Sequence, residues 1–257
     1  MRRLSDRLAA GETILSGWSG IPDALTVEAI ACTEFDAVTL DMQHGGHHED
    51  SVLRSIVPLM LRERHAIVRI PVGRFDMASR SLDFGAEAVI APMINSVEDA
   101  RRFAAAMNYP PRGERSWGPT FALPRSREAG GQHWLESSRG RTLAFAMIET
   151  RAALAVVDEI AGTEGIDGIF VGPSDFSIAW TEGRTIDPSL AGMMDAIAHI
   201  AERTKAAGKL LAVYSVDPGL VGRYHAMGYR LFALGSDYGY IQNGAAGMIA
   251  KARESIA

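Results

Sequence analysis

Ala88-Val89-Ile90-Ala91 and Leu210-Leu211-Ala212-Val213 are short runs in which every residue is apolar. An extended chain with one solvated face alternates apolar and polar residues, whereas a strand covered on both faces reads as a continuous apolar run. On either side of these two, short β-branched runs alternate with longer stretches of helical period. Strands are predicted at Thr13–Ser19, Asp36–Met42, Ala66–Pro71, Ala88–Met93, Thr142–Ile148, Gly168–Gly172, Leu210–Tyr214 and Arg230–Gly235. Helices are predicted at Asp23–Cys32, Asp50–Arg64, Met77–Phe84, Val97–Met107, Ala152–Ile160, Ser189–Ala207, Pro218–Met227 and Tyr238–Ala257. Strands each followed by a helix imply an α/β fold, a (β/α)₈ TIM barrel, and 257 residues suit a single domain of that kind. The rival is an open doubly wound sheet, which predicts a G-x-G-x-x-G turn after the first strand. Gly17-Trp18-Ser19-Gly20 lacks that spacing, and no G-x-x-x-x-G-K occurs.

Charge and composition narrow the partners. The net charge of −5 comes with acidic and basic residues interspersed and no basic stripe, which argues against nucleic acid. Cys32 is the single cysteine, so no internal disulfide can form, which fits a reducing compartment. Set in the apolar run Ala29-Ile30-Ala31, it is expected to be a buried, inert thiol. Met1-Arg2-Arg3-Leu4-Ser5-Asp6 has two arginines with no apolar stretch behind them, unlike a secretory signal. No apolar segment reaches the ~20 residues of a membrane span. The expectation is a cytoplasmic protein with no membrane partner.

One connection breaks the regular spacing. Residues 108–139 carry Pro110, Pro111, Pro119 and Pro124, the indoles Trp117 and Trp134, and Arg112, Arg115, Arg125 and Arg127. A loop of this length is usually functional or disordered. It reads as a lid or subunit-contact loop, or else as a solvated excursion.

In a barrel the chemistry sits at the C-terminal ends of the strands. The second strand runs into Leu40-Asp41-Met42-Gln43-His44-Gly45-Gly46-His47-His48. Asp41, three positions before His44, suits a carboxylate that fixes the tautomer of an imidazole base. The competing reading of His44 is a structural histidine. Three histidines in five residues also raise a metal site, but zinc ligands usually come from several elements and no cysteine cluster supports one. His47 and His48 are therefore expected to be solvated loop residues or the start of the next helix.

The third strand ends in Val68-Arg69-Ile70-Pro71, and an arginine inside an apolar strand needs a partner. Its planar fork matches the carboxylate of an anionic ligand; the alternative is an internal ion pair with Asp41 or Glu87. Glu149 ends the apolar fifth strand, and Asp175 follows the sixth beyond a Gly172-Pro173 turn. Two carboxylates converging at neighbouring strand ends repel unless one holds a proton, or unless Mg²⁺ or Mn²⁺ makes them a hard oxygen site. Asp175 is also positioned to be a helix N-cap. Gly172 reads as a place where backbone approaches a ligand and offers N–H donors.

With these residues in hand, the sequence resembles the HpcH/HpaI aldolases, the class II 2-oxo-acid aldolases typified by 4-hydroxy-2-oxoheptane-1,7-dioate aldolase. The resemblance is carried by Leu40-Asp41-Met42-Gln43-His44-Gly45, Val68-Arg69-Ile70-Pro71, Pro110-Pro111-Arg112-Gly113-Glu114-Arg115, Ile148-Glu149-Thr150-Arg151 and Gly165–Asp175. It implies that Glu149 and Asp175 hold a divalent metal (Mg, Mn or Co), that His44 with Asp41 is the acid/base pair, and that Arg69 contacts the oxo-acid. Trp18, Gly172, Pro173 and Ser174 are implied beside the substrate, and Asp83 behind the site or at a subunit contact. The implied reaction makes or cleaves a 4-hydroxy-2-oxo acid, giving pyruvate or a related 2-oxo acid and an aldehyde, through a metal-stabilised enolate. Hexamers that exchange C-terminal helices are implied too, which would place 238–257 in an oligomer contact. Met147 departs from the pattern, since relatives often carry glutamine there.

Rival functions make different demands. A Schiff-base mechanism needs a lysine at the barrel mouth; Lys205 and Lys209 flank the start of the seventh strand and Lys251 is in the last helix. A lyase acting on a CoA thioester, of the citrate or malyl-CoA type, needs a basic patch for the nucleotide. A non-catalytic barrel predicts loss of the carboxylate pair or the base, and this chain keeps them.

Overall fold

The computed structural model describes residues 2–126 and 130–256. Arg127, in the long connection, and Ala257, at the end of the last predicted helix, lie outside the described residues. Eight parallel strands close into a barrel in sequence order: β1 Ile14–Ser19, β2 Ala37–Asp41, β3 His65–Arg69, β4 Ala88–Ala91, β5 Leu143–Ile148, β6 Gly168–Val171, β7 Leu210–Ser215 and β8 Leu231–Leu234. The predicted TIM barrel is therefore the observed one.

Two apolar layers account for the continuous runs. Ala37, Ile67, Ile90, Leu143, Phe145, Met147, Phe170 and Ala212 fill the barrel interior. Val38, Leu40, Val68, Val89, Ala144 and Ile148, one residue out of phase, pack under the helices. Strand side chains alternate with period two, so each strand supplies both layers, and the inward phase carries Asp41, Arg69 and Glu149 to the C-terminal mouth.

The structure adds elements that the sequence reading left out. A helix at Leu4–Ala9 places Leu4 and Leu8 in the interior cluster with Ile14. A helix at Pro173–Trp180 follows β6 directly, started by proline in its first turn, where a missing N–H is harmless. The helix predicted at Ala152–Ile160 is split at Val156 into Arg151–Ala155 and Val157–Gly162. The long connection carries helices at Ala122–Arg125 and Gly130–Ser137, with Trp134 buried. Cys32 corrects its expectation: it is exposed, as the C-cap of the helix Ala24–Ala31, which turns Val27, Ile30 and Ala31 to the core instead. Among the described residues no helix is long and apolar enough to cross a membrane.

Candidate active site

The mouth of the barrel opens on a cavity of about 600 Å³ lined by Trp18, Asp41, His44, Arg69, Asp175 and Tyr214, among others. A second cavity of about 520 Å³, beside the long connection, holds none of the proposed site residues.

Register makes the first half of the site. Asp41 lies directly opposite Arg69 in the β2–β3 pair. Arg69 donates from Nε to Asp41 Oδ1 at 2.8 Å and from Nη2 to Oδ2 at 2.6 Å. The Asp41 carboxylate also accepts the backbone N–H groups of Gln43 and Gly45, each at 3.0 Å, and the Trp18 indole N–H at 3.3 Å. Burial alone pushes the Asp41 carboxyl up, but the Arg69 fork and the loop amides outweigh it and hold the group below its usual range. Trp18 also lies over the Arg69 guanidinium, 4.7 Å from ring centroid to Cζ, and meets Tyr214 edge-on.

His44 is therefore reached differently from the sequence reading. Asp41 touches its backbone N–H, at 3.4 Å, and not its ring, which is exposed at the cavity edge and makes no hydrogen bond among the described residues. The carboxylate expected to orient the imidazole is committed to Arg69, the internal pairing that the sequence left as the alternative.

The second half is Glu149, next in the inward phase after Phe145 and Met147. It is 1% exposed; Oε1 accepts the Met93 N–H at 2.7 Å, and Oε2 is buried with no hydrogen-bond partner among the described residues. Burial pushes its carboxyl up to about 7, with the charge of Asp175 adding and the Met93 N–H and Arg69 opposing. Asp175 sits in the first turn of helix Pro173–Trp180; Gly172 holds the N-cap position. That helix start also sets Pro173 and Ser174 in the cavity lining. Gly172 is needed for contact: a Cβ there would lie 2.5 Å from Met147 Cε and 2.7 Å from Glu149 Oε2.

Other placements revise the sequence reading. His47 is buried, not solvated, because the chain after Gly45-Gly46 turns its ring between Ser19 Oγ, at 3.0 Å, and Ser51 Oγ, at 3.1 Å. Burial lowers its pKa to about 4. His48 begins the next helix as its N-cap. Asp83 is not in the cavity; it accepts from Arg115 Nη2 at 2.7 Å. Asp237, assigned no role from sequence, accepts from Ser19 Oγ and the Gly20 and Ile21 N–H groups, tying the turn after β1 to the last helix, Asp237–Ile256. Its place just beyond the end of β8 is the signal that could have found it.

A buried carboxylate oxygen without a partner calls for an explanation. Glu149 with Asp175 is an all-oxygen donor pair of the kind hard divalent cations take. Among the described residues no group of three or more His, Cys, Asp or Glu side chains is arranged to hold a metal, so a cation here would take at most two of these side chains. In the type of donor and in the open Oε2 of Glu149, the residues fit such an ion.

Comparison with known proteins covers nearly the whole chain. The chain is 35% identical to a hydroxypyruvate/pyruvate aldolase of Rhizorhabdus wittichii, over 95% of each chain. It is 31% identical to a 4-hydroxy-2-oxovalerate aldolase of Rhodococcus jostii, over 90% of this chain and 88% of that one. The solved HpcH/HpaI aldolase of Desulfitobacterium hafniense shares the fold, with a TM-score of 0.90 over 99% of this chain and 98% of that one, at 20% identity. Residues 17–244 match the HpcH/HpaI aldolase/citrate lyase family, and the chain belongs to that family.

Proposed function

We propose that this chain is an aldolase that releases pyruvate, or a closely related 2-oxo acid, and an aldehyde from a 4-hydroxy-2-oxo acid, and runs the reverse addition. The family and the aldolase names of its relatives support the reaction class. The observation that carries the site assignment is Glu149 Oε2, buried without a partner at the mouth beside Asp175.

The family is generally divalent-metal dependent; Glu149 and Asp175 would hold the ion, Mg²⁺, Mn²⁺ or Co²⁺. When bound, the cation supplies Lewis acidity toward the 2-oxo acid and charge to stabilise its enolate. Arg69 spends one N–H from Nε and one from Nη2 on Asp41, which leaves guanidinium donors for the oxo-acid oxygen where negative charge develops. Asp41 thus orients the arginine rather than the base. The His44 ring, free of internal hydrogen bonds at the cavity edge, takes the proton from the hydroxyl on the carbon that leaves as aldehyde, and returns it in synthesis. Trp18 and Tyr214 wall the site and keep Arg69 in place.

A CoA thioester as substrate is disfavoured by the cavity, where Arg69 is the one arginine or lysine among the described lining residues. A homo-oligomer, a hexamer as the family resemblance implies, is supported by the last helix, which exposes Ile241, Met248, Ile249 and Ile256.

The test is exchange of the pyruvate methyl protons in D₂O, followed by NMR on chelator-stripped protein with and without Mg²⁺, Mn²⁺ or Co²⁺. Exchange is expected with metal only, and Glu149→Ala should lower it at least about a hundredfold. Full exchange by the variant in a metal-replete assay would sink the assignment.

A further inference from the structure

Among the described residues three that are not glycine have positive φ: Glu63, Met93 and Glu182. Two have an ordinary reason. Glu63 follows the C-cap of helix Glu49–Leu61 and Glu182 that of helix Pro173–Trp180, where helices commonly end in a left-handed residue. Met93 follows no helix. It lies in the turn after β4 with φ 54°, a conformation unfavourable for a side chain bearing a Cβ and kept only where the surroundings impose it.

The surroundings do impose it. The β4–β5 ladder ends at Ala91 opposite Ala146, yet three further bonds continue the contact. The Met93 N–H donates to Glu149 Oε1 at 2.7 Å, the Ile94 N–H to the Met147 carbonyl at 3.3 Å, and Thr150 Oγ1 to Asn95 Oδ1. The turn is stapled to the strand end that carries Glu149, and its left-handed residue is the one whose N–H reaches the carboxylate.

We propose that Met93 is a positioning residue for the divalent-cation site: its left-handed backbone turns its N–H onto Glu149 Oε1, which locks the carboxylate rotamer and leaves Oε2 for the ion. The side chain of Met93 is incidental; the backbone conformation does the positioning. The inference rests on the reading that Glu149 holds the metal, and the experiment separates the two.

Mn²⁺ is titrated into chelator-stripped full-length protein, with free ion counted by electron paramagnetic resonance. Met93→Ile keeps the N–H but resists positive φ, and is expected to weaken Mn²⁺ binding about tenfold or more. Met93→Gly adopts that φ freely and is expected to bind within about threefold of the parent. Retention by both variants, or loss in the glycine variant, overturns the proposal. Should Met93→Ile fail to fold by circular dichroism, Asn95→Ala, which frees the turn from Thr150, is expected to weaken binding about threefold, and unchanged affinity counts against it.

A metal-free reading stands beside this. In protein labelled with ¹⁵N-methionine, the Met93 amide should exchange slowly, and rapidly in Glu149→Ala. A protected amide in a protein that binds no Mn²⁺ would sink the metal assignment and leave the hydrogen bond standing. Fast exchange in the parent protein would overturn the proposal itself.

Discussion

At the N-terminal end of the barrel His65 is fully buried, and its Nδ1 lies 2.8 Å from Glu87 Oε1, while Glu87 Oε2 accepts the Leu4 N–H at 2.9 Å. Close by, Asp36 takes Arg7 Nη2 at 2.8 Å on one oxygen and the Leu15 N–H at 3.0 Å on the other. At the C-terminal mouth Glu149 is as deeply buried, yet one of its oxygens has nothing to bind. The carboxylates at the first end are satisfied internally, as Asp41 is at the mouth; Glu149 keeps one oxygen open. Satisfied networks fix the helix Leu4–Ala9 to the barrel and serve stability. An unsatisfied carboxylate beside a second carboxylate destabilises the chain alone and is kept where a ligand completes it.

The largest test of this contrast removes one partner at each end. Arg69→Ala strands the Asp41 carboxylate in a buried setting and should destabilise the protein by about 3–5 kcal/mol in urea unfolding. Arg7→Ala breaks two pairs, with Asp36 and Glu12, whose side chains keep 22% to 35% of their exposure, and should cost about 1–2 kcal/mol in all. Equal losses would erase the distinction between a mouth built on buried charge and a base built on screened charge.

The next test uses pH. In metal-free protein Glu149 ionises near 7 when folded and near its ordinary 4.5 when unfolded. Between those values the folded state holds the extra proton, so this group makes stability fall as pH rises from about 4.5 to about 7 and leaves it flat above. The loss should approach about 3 kcal/mol. His47 works the other way: with a folded pKa of about 4 against an ordinary 6.5, it lowers stability as pH falls through that range. The difference between parent and Glu149→Gln in denaturant melts cancels His47 and should show the slope; parallel curves would mean that Glu149 is not strained.

Gly172→Ala sharpens the same point sterically. Met147 Cε can swing away from the new Cβ, but the Glu149 carboxylate must move, so destabilisation of about 1–3 kcal/mol is expected, with Mn²⁺ affinity falling alongside. Affinity unchanged in a folded variant would show that the carboxylate has room to spare. The smallest effect is outside both regions: alkylating the exposed Cys32 should change unfolding by less than about 0.5 kcal/mol and leave turnover intact.

The barrel was legible because its strands are covered on both faces, and unbroken apolar runs such as Ala88–Ala91 occur in few other settings. Asp41, Arg69 and Glu149 were legible for a related reason: a period of two and the rule that chemistry gathers at strand C-termini place them inward at one end. Partners were not legible. Asp41 is near His44 in sequence but opposite Arg69 in the sheet, and the cross-strand neighbour takes the carboxylate because register brings a bidentate fork to it. His47 and Cys32 went the opposite ways from their composition, since local polarity does not say which loop folds inward or which face of a helix meets the core. The left-handed turn at Met93 has no sequence mark, because it is imposed by bonds to a strand some fifty residues on. The period of two in each strand sets which side chains face the mouth. Which of them are satisfied and which is left open depends on register and barrel closure, set by contacts between residues far apart in the chain.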